Sequence, residues 1–379
     1  MTSSRVIHSA RLVTGGRVSD DAWVRSEGGS ITAVGTGASW TPADTVIDAA
    51  DLAGPGAVLT PGFVDIHAHG GGGAAFDEGV EAIRRARALH RAHGTTRQIV
   101  SLVTAPLEDL VRRVAEIARL TRTDAGILGS HLEGPFLDPA HHGAHEPSLL
   151  RRPEPAALER LLEAGEGTVR QVTIAPELPG GLDAVRQTVA AGAAAAVGHT
   201  GADGEMARAA FDTGATILTH AFNAMPGIHH RAPGPVLAAA ADRRVTLEGI
   251  ADGVHLHEQV LKLLFDAAPG RVALVTDAMA AAGAPDGDYD LGAVAVRVQD
   301  GVARTRQTGA IAGSTLTQDQ ALRVSVAAGV PLSDAVLALT AAPAHAVGRG
   351  GDLGQLAPGF ADDAVLLDAA LRVRSVWAG

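Results

Sequence analysis

The chain has 379 residues, a formal net charge of −11 at pH 7 and 46% hydrophobic residues, but only 3% aromatic ones and no cysteine. The acidic balance argues against a nucleic-acid surface, which needs clustered Lys and Arg, and the few aromatics leave little for base stacking. Without cysteine there is no disulfide framework and no thiolate metal site, so any metal must sit on His, Asp or Glu.

Residues 4–50 read as short strands and turns of a small β unit. After Pro61 the pattern becomes strand and helix alternation. Eight apolar strands are expected at 59–66, 95–103, 126–132, 168–175, 194–198, 215–219, 245–250 and 271–276. Helices are expected at 77–93, 106–121, 154–164, 181–191, 203–213, 256–267, 315–329 and 333–340. Eight β/α repeats argue for a closed barrel rather than an open sheet. Residues 285–312 interrupt the last repeat with a β-hairpin, and residues 361–377 return to β patterning. The predicted fold is α/β: a distorted (β/α)8 barrel over 59–356, plus a small β-sandwich domain built from both termini, 1–58 and 357–379. Residues 1–20 carry no basic region followed by an apolar run, so no signal peptide is expected. No uncharged apolar stretch of about 18 residues exists, so no membrane span is expected, and the anticipated location is cytoplasmic.

Barrel enzymes place their chemistry at the C-terminal ends of the strands. His67 and His69 follow the first strand, in Asp65-Ile-His-Ala-His-Gly. Side chains alternate along a strand, so both imidazoles face one side as a ready pair of metal ligands. Glu133 ends the third strand, His199 the fifth, His220 the sixth and Asp277 the eighth, while His255 follows the seventh. One such residue alone is more often structural; convergence of the set at one mouth points to a metal-dependent site. His131 alternates with Glu133 and is a candidate to support the ligands. His90 and His93, three apart on a helix, read as solvated, and His141 and His142 sit in a long loop.

Beyond these positions, the strings Thr60-Pro-Gly-Phe-Val-Asp-Ile-His-Ala-His-Gly, His131-Leu-Glu-Gly-Pro-Phe, Gly198-His-Thr, Thr219-His-Ala-Phe-Asn-Ala-Met-Pro, Ala251-Asp-Gly-Val-His, Thr276-Asp-Ala-Met and Ala312-Gly-Ser run in order along nearly the whole chain. Together they resemble the N-acetylglucosamine-6-phosphate deacetylases, a branch of the amidohydrolase superfamily. The resemblance implies a principal metal site on Glu133, His199 and His220. Retention of His67 and His69 implies a two-metal form bridged by Glu133. Zinc is the expected ion, one or two per subunit, with iron or another divalent ion as alternatives.

The implied reaction is hydrolysis of the N-acetyl group of N-acetyl-D-glucosamine 6-phosphate to D-glucosamine 6-phosphate and acetate, in amino-sugar catabolism and cell-wall sugar recycling. Asp277 would take a proton from the attacking water and deliver it to the leaving amine. His145 would polarise the carbonyl; Glu146 departs from the Asn that follows in the family's string. Arg231 and His255 correspond to phosphate contacts supplied by the neighbouring subunit of a homodimer. Asn223, Ala224, Ala144, Asp252, Ile311, Ala312 and Gly313 correspond to further sugar or phosphate contacts. The alternatives are N-acetylgalactosamine-6-phosphate deacetylation and, from another class, a non-catalytic sugar-phosphate sensor.

Overall fold

The computed structural model describes residues 3–378. Among them, eight parallel strands form a nearly closed barrel. The first to eighth barrel strands are Phe63–Asp65, Thr95–Val103, Ile127–Glu133, Val169–Ile174, Ala194–Val197, Ile217–Leu218, Thr246–Ile250 and Val272–Val275, hydrogen-bonded in chain order. The seam between the eighth and first strands is closed by polar groups. Thr276 Oγ1 donates to Asp65 at 2.6 Å, and the Asp277 amide donates to the His67 carbonyl at 2.8 Å.

The expected helices form between the strands because one stripe of each is apolar. In Leu107–Thr121 the buried residues include Leu110, Val114, Ile117 and Ala118, the spacing of one helical face. Each fully buried Leu or Ile there contributes about 2 kcal/mol. Among the described residues three further α-helices, Gly234–Ala241, Ala341–Ala346 and the short Ala49–Ala53, lie outside those expectations. The first reads Gly-Pro-Val-Leu-Ala-Ala-Ala-Ala, apolar nearly all round, so it carries no amphipathic period to detect.

His90 corrects the sequence reading. It belongs to the buried stripe Ile83, Ala86 and His90 of helix Val80–Ala92 and is fully enclosed, donating from Nε2 to the Gly70 carbonyl at 2.8 Å. His93 stays partly exposed and pairs with Asp319 at 3.0 Å.

The expected strand at 59–66 divides in two. Val58–Pro61 leaves the barrel and pairs with Ser4–Thr14 and with Ala364–Leu367. Gly62 makes the passage, since a Cβ there would meet Thr96 Oγ1 at 2.1 Å. The small domain draws on both ends of the chain. Among the described residues its strands join into one seven-stranded hydrogen-bonded sheet around an apolar cluster that includes Ile7, Leu12, Val24, Leu59 and Leu366. The insertion consists of Gly287–Leu291, Val294–Gln299 and Val302–Thr305, all antiparallel, one strand more than a hairpin. Its apolar side packs Leu291, Val296 and Ala303 with Val103 and Met279, beside the barrel mouth. No helix among the described residues is long and apolar enough to cross a membrane.

Candidate active site

At the C-terminal end of the barrel the strand-end residues meet. Glu133 is the hub. Its Oε1 lies 3.1 Å from His199 Nε2, 3.1 Å from His220 Nε2 and 3.3 Å from His67 Nε2. Its Oε2 lies 2.9 Å from His69 Nε2. The ring nitrogens also face one another, at 3.0 Å for His199 and His220 and 3.2 Å for His67 and His69. Asp277 Oδ1 is 3.2 Å from His69 Nε2. All of these residues are buried.

Bent backbone aims several of these side chains inward. His199, His220 and Asp277 have φ of +47°, +26° and +47°, where residues with a Cβ are strained. Each such residue costs about 1–3 kcal/mol and persists only where the surroundings hold it. They follow directly on the strands, so the turn of the chain brings their side chains over the mouth.

Hydrogen bonds set the role of Nδ1 in His199, His67 and His145. His199 Nδ1 donates to the His141 carbonyl at 2.9 Å, which leaves the Nε2 lone pair facing Glu133 and His220. His67 Nδ1 lies 3.0 Å from the Glu248 carboxylate, with the same consequence. His145 is the reverse case. The Thr104 amide donates to its Nδ1 at 3.3 Å, and the Thr104 hydroxyl is 2.9 Å away. The proton of a neutral His145 therefore sits on Nε2, which points toward Glu133 Oε2 at 3.5 Å. Although His145 lies close enough to Glu133 and His199 to form a ligand triplet, its tautomer makes it a hydrogen-bond donor in the mouth.

The electrostatics divide along the same line. Burial pushes His145 down to about 4, so it is neutral at pH 7. Burial opposes the charged form of His67 and His69, yet nearby carboxylates outweigh it. Glu133, Glu248 and Asp277 hold His67 well above 6.5, and Asp277 and Glu133 raise His69 to about 9. Burial would raise Asp277, but His67 and His69 bring it down to about 2, so it stays ionised. The mouth thus carries a negative field that favours cations.

These residues fit a divalent metal. Ligands around a four-coordinate ion with bonds of about 2.0–2.2 Å sit roughly 3.3 Å apart, close to the 3.0–3.3 Å separations seen between the ring nitrogens and Glu133. His199 presents a lone pair to the shared space, and a divalent ion there would displace the protons that the neighbouring carboxylates favour on His67 and His69, freeing each Nε2 as a ligand.

The mouth opens into a cavity of about 410 Å³, within the usual range for small-molecule sites. Of the expected substrate contacts, Ala144, His145, Asn223, Ala224, His255, Ile311 and Gly313 line it. Asp252 stands behind His255 and bonds its Nδ1 at 2.7 Å. Burial opposes protonation of His255, but Asp252 outweighs it and raises the imidazole. Ala312 is buried behind the lining, its amide donating to the Ala303 carbonyl. Arg231 is exposed outside this lining, with its guanidinium against His230 at 2.7 Å. His255 thus faces the cavity of its own chain, whereas Arg231 does not reach it.

His131 supports the ligands from beneath. It packs edge-on against His67, with ring centroids 4.6 Å apart, and bonds Ser101 and Thr173 at 2.9 and 2.8 Å. Glu248 is a residue the sequence reading missed. It is fully buried on the seventh strand and bonds Gln171, His67 and the His220 amide. The available signal was a lone charge inside the apolar run Val245-Thr-Leu-Glu-Gly-Ile.

Comparison with known proteins agrees with this geometry. The profile of the amidohydrolase family matches residues 58–378. A crystal structure of N-acetyl-D-glucosamine-6-phosphate deacetylase from Mycobacterium smegmatis, a mutant in complex with N-acetyl-D-glucosamine-6-phosphate, superposes with a TM-score of 0.94 at 44% identity, covering 99% of this chain and 98% of that one. N-acetylgalactosamine-6-phosphate deacetylase from Escherichia coli O157:H7 is 37% identical over 99% of this chain and 98% of its own length. The human N-acetylglucosamine-6-phosphate deacetylase is 36% identical over 85% of this chain and 82% of its own length. The protein belongs to the amidohydrolase family and is a metal-dependent amide hydrolase.

Proposed function

We propose that the protein hydrolyses the acetamide of N-acetyl-D-glucosamine 6-phosphate, giving D-glucosamine 6-phosphate and acetate. The observation that carries this reading is the meeting, at one cavity, of a carboxylate–imidazole cage, an ionised Asp277 and the Nε2–H donor of His145. The named activities of the relatives supply the substrate. Glu133, His199 and His220 would hold one ion; His67 and His69 would hold a second, with Glu133 shared. Zinc suits such ligands with an open position, and iron is the next candidate. A bound ion supplies Lewis acidity, lowering the pKa of water to roughly 7 and drawing charge from a carbonyl.

The side chains do the rest. Asp277, ionised at the start, takes a proton as the water oxygen attacks the acetyl carbon. It returns that proton to nitrogen as the C–N bond breaks, so that an amine and not an amide anion departs. His145 donates its Nε2–H to the carbonyl oxygen, where negative charge develops. His255, held by Asp252, meets the phosphate. Arg231 reaches the same phosphate from the neighbouring subunit of a homodimer, with the fork of donors that phosphate oxygens accept. Asn223, Ala224, Ala144 and the 311–313 segment orient the sugar. The catalytic unit is residues 59–356, with 1–58 and 357–379 as its attached β domain. A cysteine-free enzyme of this kind suits the reducing cytoplasm, in amino-sugar catabolism and cell-wall sugar recycling.

The Escherichia coli relative's name favours a second substrate, the galactosamine epimer. Acetate release measured on both N-acetylhexosamine 6-phosphates, with and without chelator, tests the reading. Chelator-sensitive release, faster on the glucosamine epimer, is expected. Sugar phosphate bound without acetate release would overturn it in favour of a sensor, and faster release from the other epimer would transfer the assignment.

A further inference from the structure

Glu248 occupies an unusual position for a carboxylate. It is fully buried near the middle of the seventh strand, and none of its hydrogen-bond partners is Lys or Arg. Its Oε1 accepts from Gln171 Nε2 at 2.7 Å. Its Oε2 is 3.0 Å from His67 Nδ1 and accepts from the backbone amide of His220 at 3.1 Å. Those two histidines belong to different halves of the cage. His67 stands in the pair with His69, and His220 in the pair with His199.

A carboxylate at Nδ1 does two things to an imidazole. It holds the proton there, so Nε2 keeps its lone pair, and it places negative charge behind the ring, which strengthens the ring as a ligand. Among the described residues no carboxylate stands at Nδ1 of His199 or His220. His199 Nδ1 meets only a neutral carbonyl, and His220 Nδ1 has no partner among the described residues. For His220 the carboxylate acts on the backbone instead, holding the amide of a residue whose φ is +26°.

We propose that Glu248 is a positioning residue that couples the two halves of the metal centre. One oxygen fixes the tautomer and donor strength of His67 and pins the strained backbone of His220. Loss of its charge loosens the His67–His69 position first. This rests on the metal reading given above and not on the identity of the substrate.

Glu248→Gln keeps the volume and removes the charge. The variant's amide oxygen can still accept from His67 and His220, while its NH2 meets Gln171, whose Oε1 has no partner among the described residues and can turn to accept it. The fold should therefore survive. The test is zinc binding to purified protein, titrated against a competing chelator, with metal content per subunit counted and no substrate present. Wild type should hold two equivalents at a chelator concentration where E248Q holds one. The weaker equivalent should bind about 10- to 100-fold less tightly in the variant, and the unfolding midpoints of the two metal-free proteins should be close. Equal stoichiometry and equal affinity would overturn the proposal while leaving the deacetylase reading intact. A single equivalent in wild type would overturn it as well. Nitrogen-15 spectra of histidine-labelled, zinc-loaded wild type give a check without any variant. His67 should carry its proton on Nδ1; a proton on Nε2 would refute the proposed role.

Discussion

The backbone amide of Thr104 donates to Nδ1 of His145 at 3.3 Å, and this bond separates His145 from the other histidines of the mouth. Thr104 follows directly on the second barrel strand, so the strand itself sets the proton on His145. His145→Ala should lower kcat by about 10²–10³-fold, the usual cost of losing a donor to a developing oxyanion, with metal content unchanged. Steady-state kinetics with metal analysis on one preparation checks this. Loss of an equivalent of metal would make His145 a ligand instead.

Asp277 is the proton carrier of the proposed hydrolysis, and Asp277→Asn removes its basicity with little change of shape. Turnover should fall by about 10²–10⁴-fold while the variant still binds substrate and metal. Isothermal titration with N-acetyl-D-glucosamine 6-phosphate and an acetate assay separate the two effects. Near-normal turnover would remove Asp277 from the proton path.

Arg97 and Asp363 tie the barrel to the small domain. Arg97 lies on the second strand, and Asp363 immediately precedes Ala364–Leu367. Their side chains are buried in a two-pronged pair, Arg97 Nε donating to Asp363 Oδ2 and Nη2 to Oδ1 at 2.9 Å, while Nη1 donates to the Ala125 carbonyl at 2.6 Å. Removing one partner of such a buried pair typically costs about 3–5 kcal/mol. Asp363→Ala should therefore lower the denaturant midpoint well beyond the effect of a surface substitution, and the double variant Arg97→Met, Asp363→Leu should recover part of the loss. Denaturant unfolding of wild type and the two variants decides, and a double variant no more stable than Asp363→Ala would contradict the pairing.

His90 gives a pH dependence. Burial depresses it from 6.5 to about 4, so the folded state favours the neutral ring. Its contribution is complete above pH 6.5 and is lost as pH falls toward 4. The loss is about 2 kcal/mol by pH 5 and about 3 kcal/mol in full. His90→Gln, which can still donate to the Gly70 carbonyl, should flatten that part of the stability profile. Denaturant unfolding at pH 7 and pH 5 measures it, and parallel profiles for the two proteins would exclude His90 as the source.

The strand-end ligands are legible in the sequence because each follows an apolar run, where a barrel exposes its chemistry. Glu248 is harder to read, because a strand carries no mark of which charged residue faces inward until its neighbours are known. His90 misleads for a related reason. Its spacing from Ile83 and Ala86 puts it on the buried stripe, but its polarity suggests water, and only the Gly70 carbonyl explains the burial. Gly234–Ala241 escapes detection because uniform hydrophobicity has no period. The tautomers of His67, His145 and His199 depend on partners about 40 to 180 residues away, which no local pattern announces.

Catalysis of the proposed kind depends on a divalent ion held by Glu133, His199 and His220. Anomalous diffraction above the zinc edge, from crystals of zinc-loaded protein, tests it most directly. A peak bonded to the Glu133 carboxylate and to Nε2 of both histidines, at about 2.0–2.2 Å from each, is the result predicted. A well-ordered site with no anomalous peak among those three side chains would contradict it.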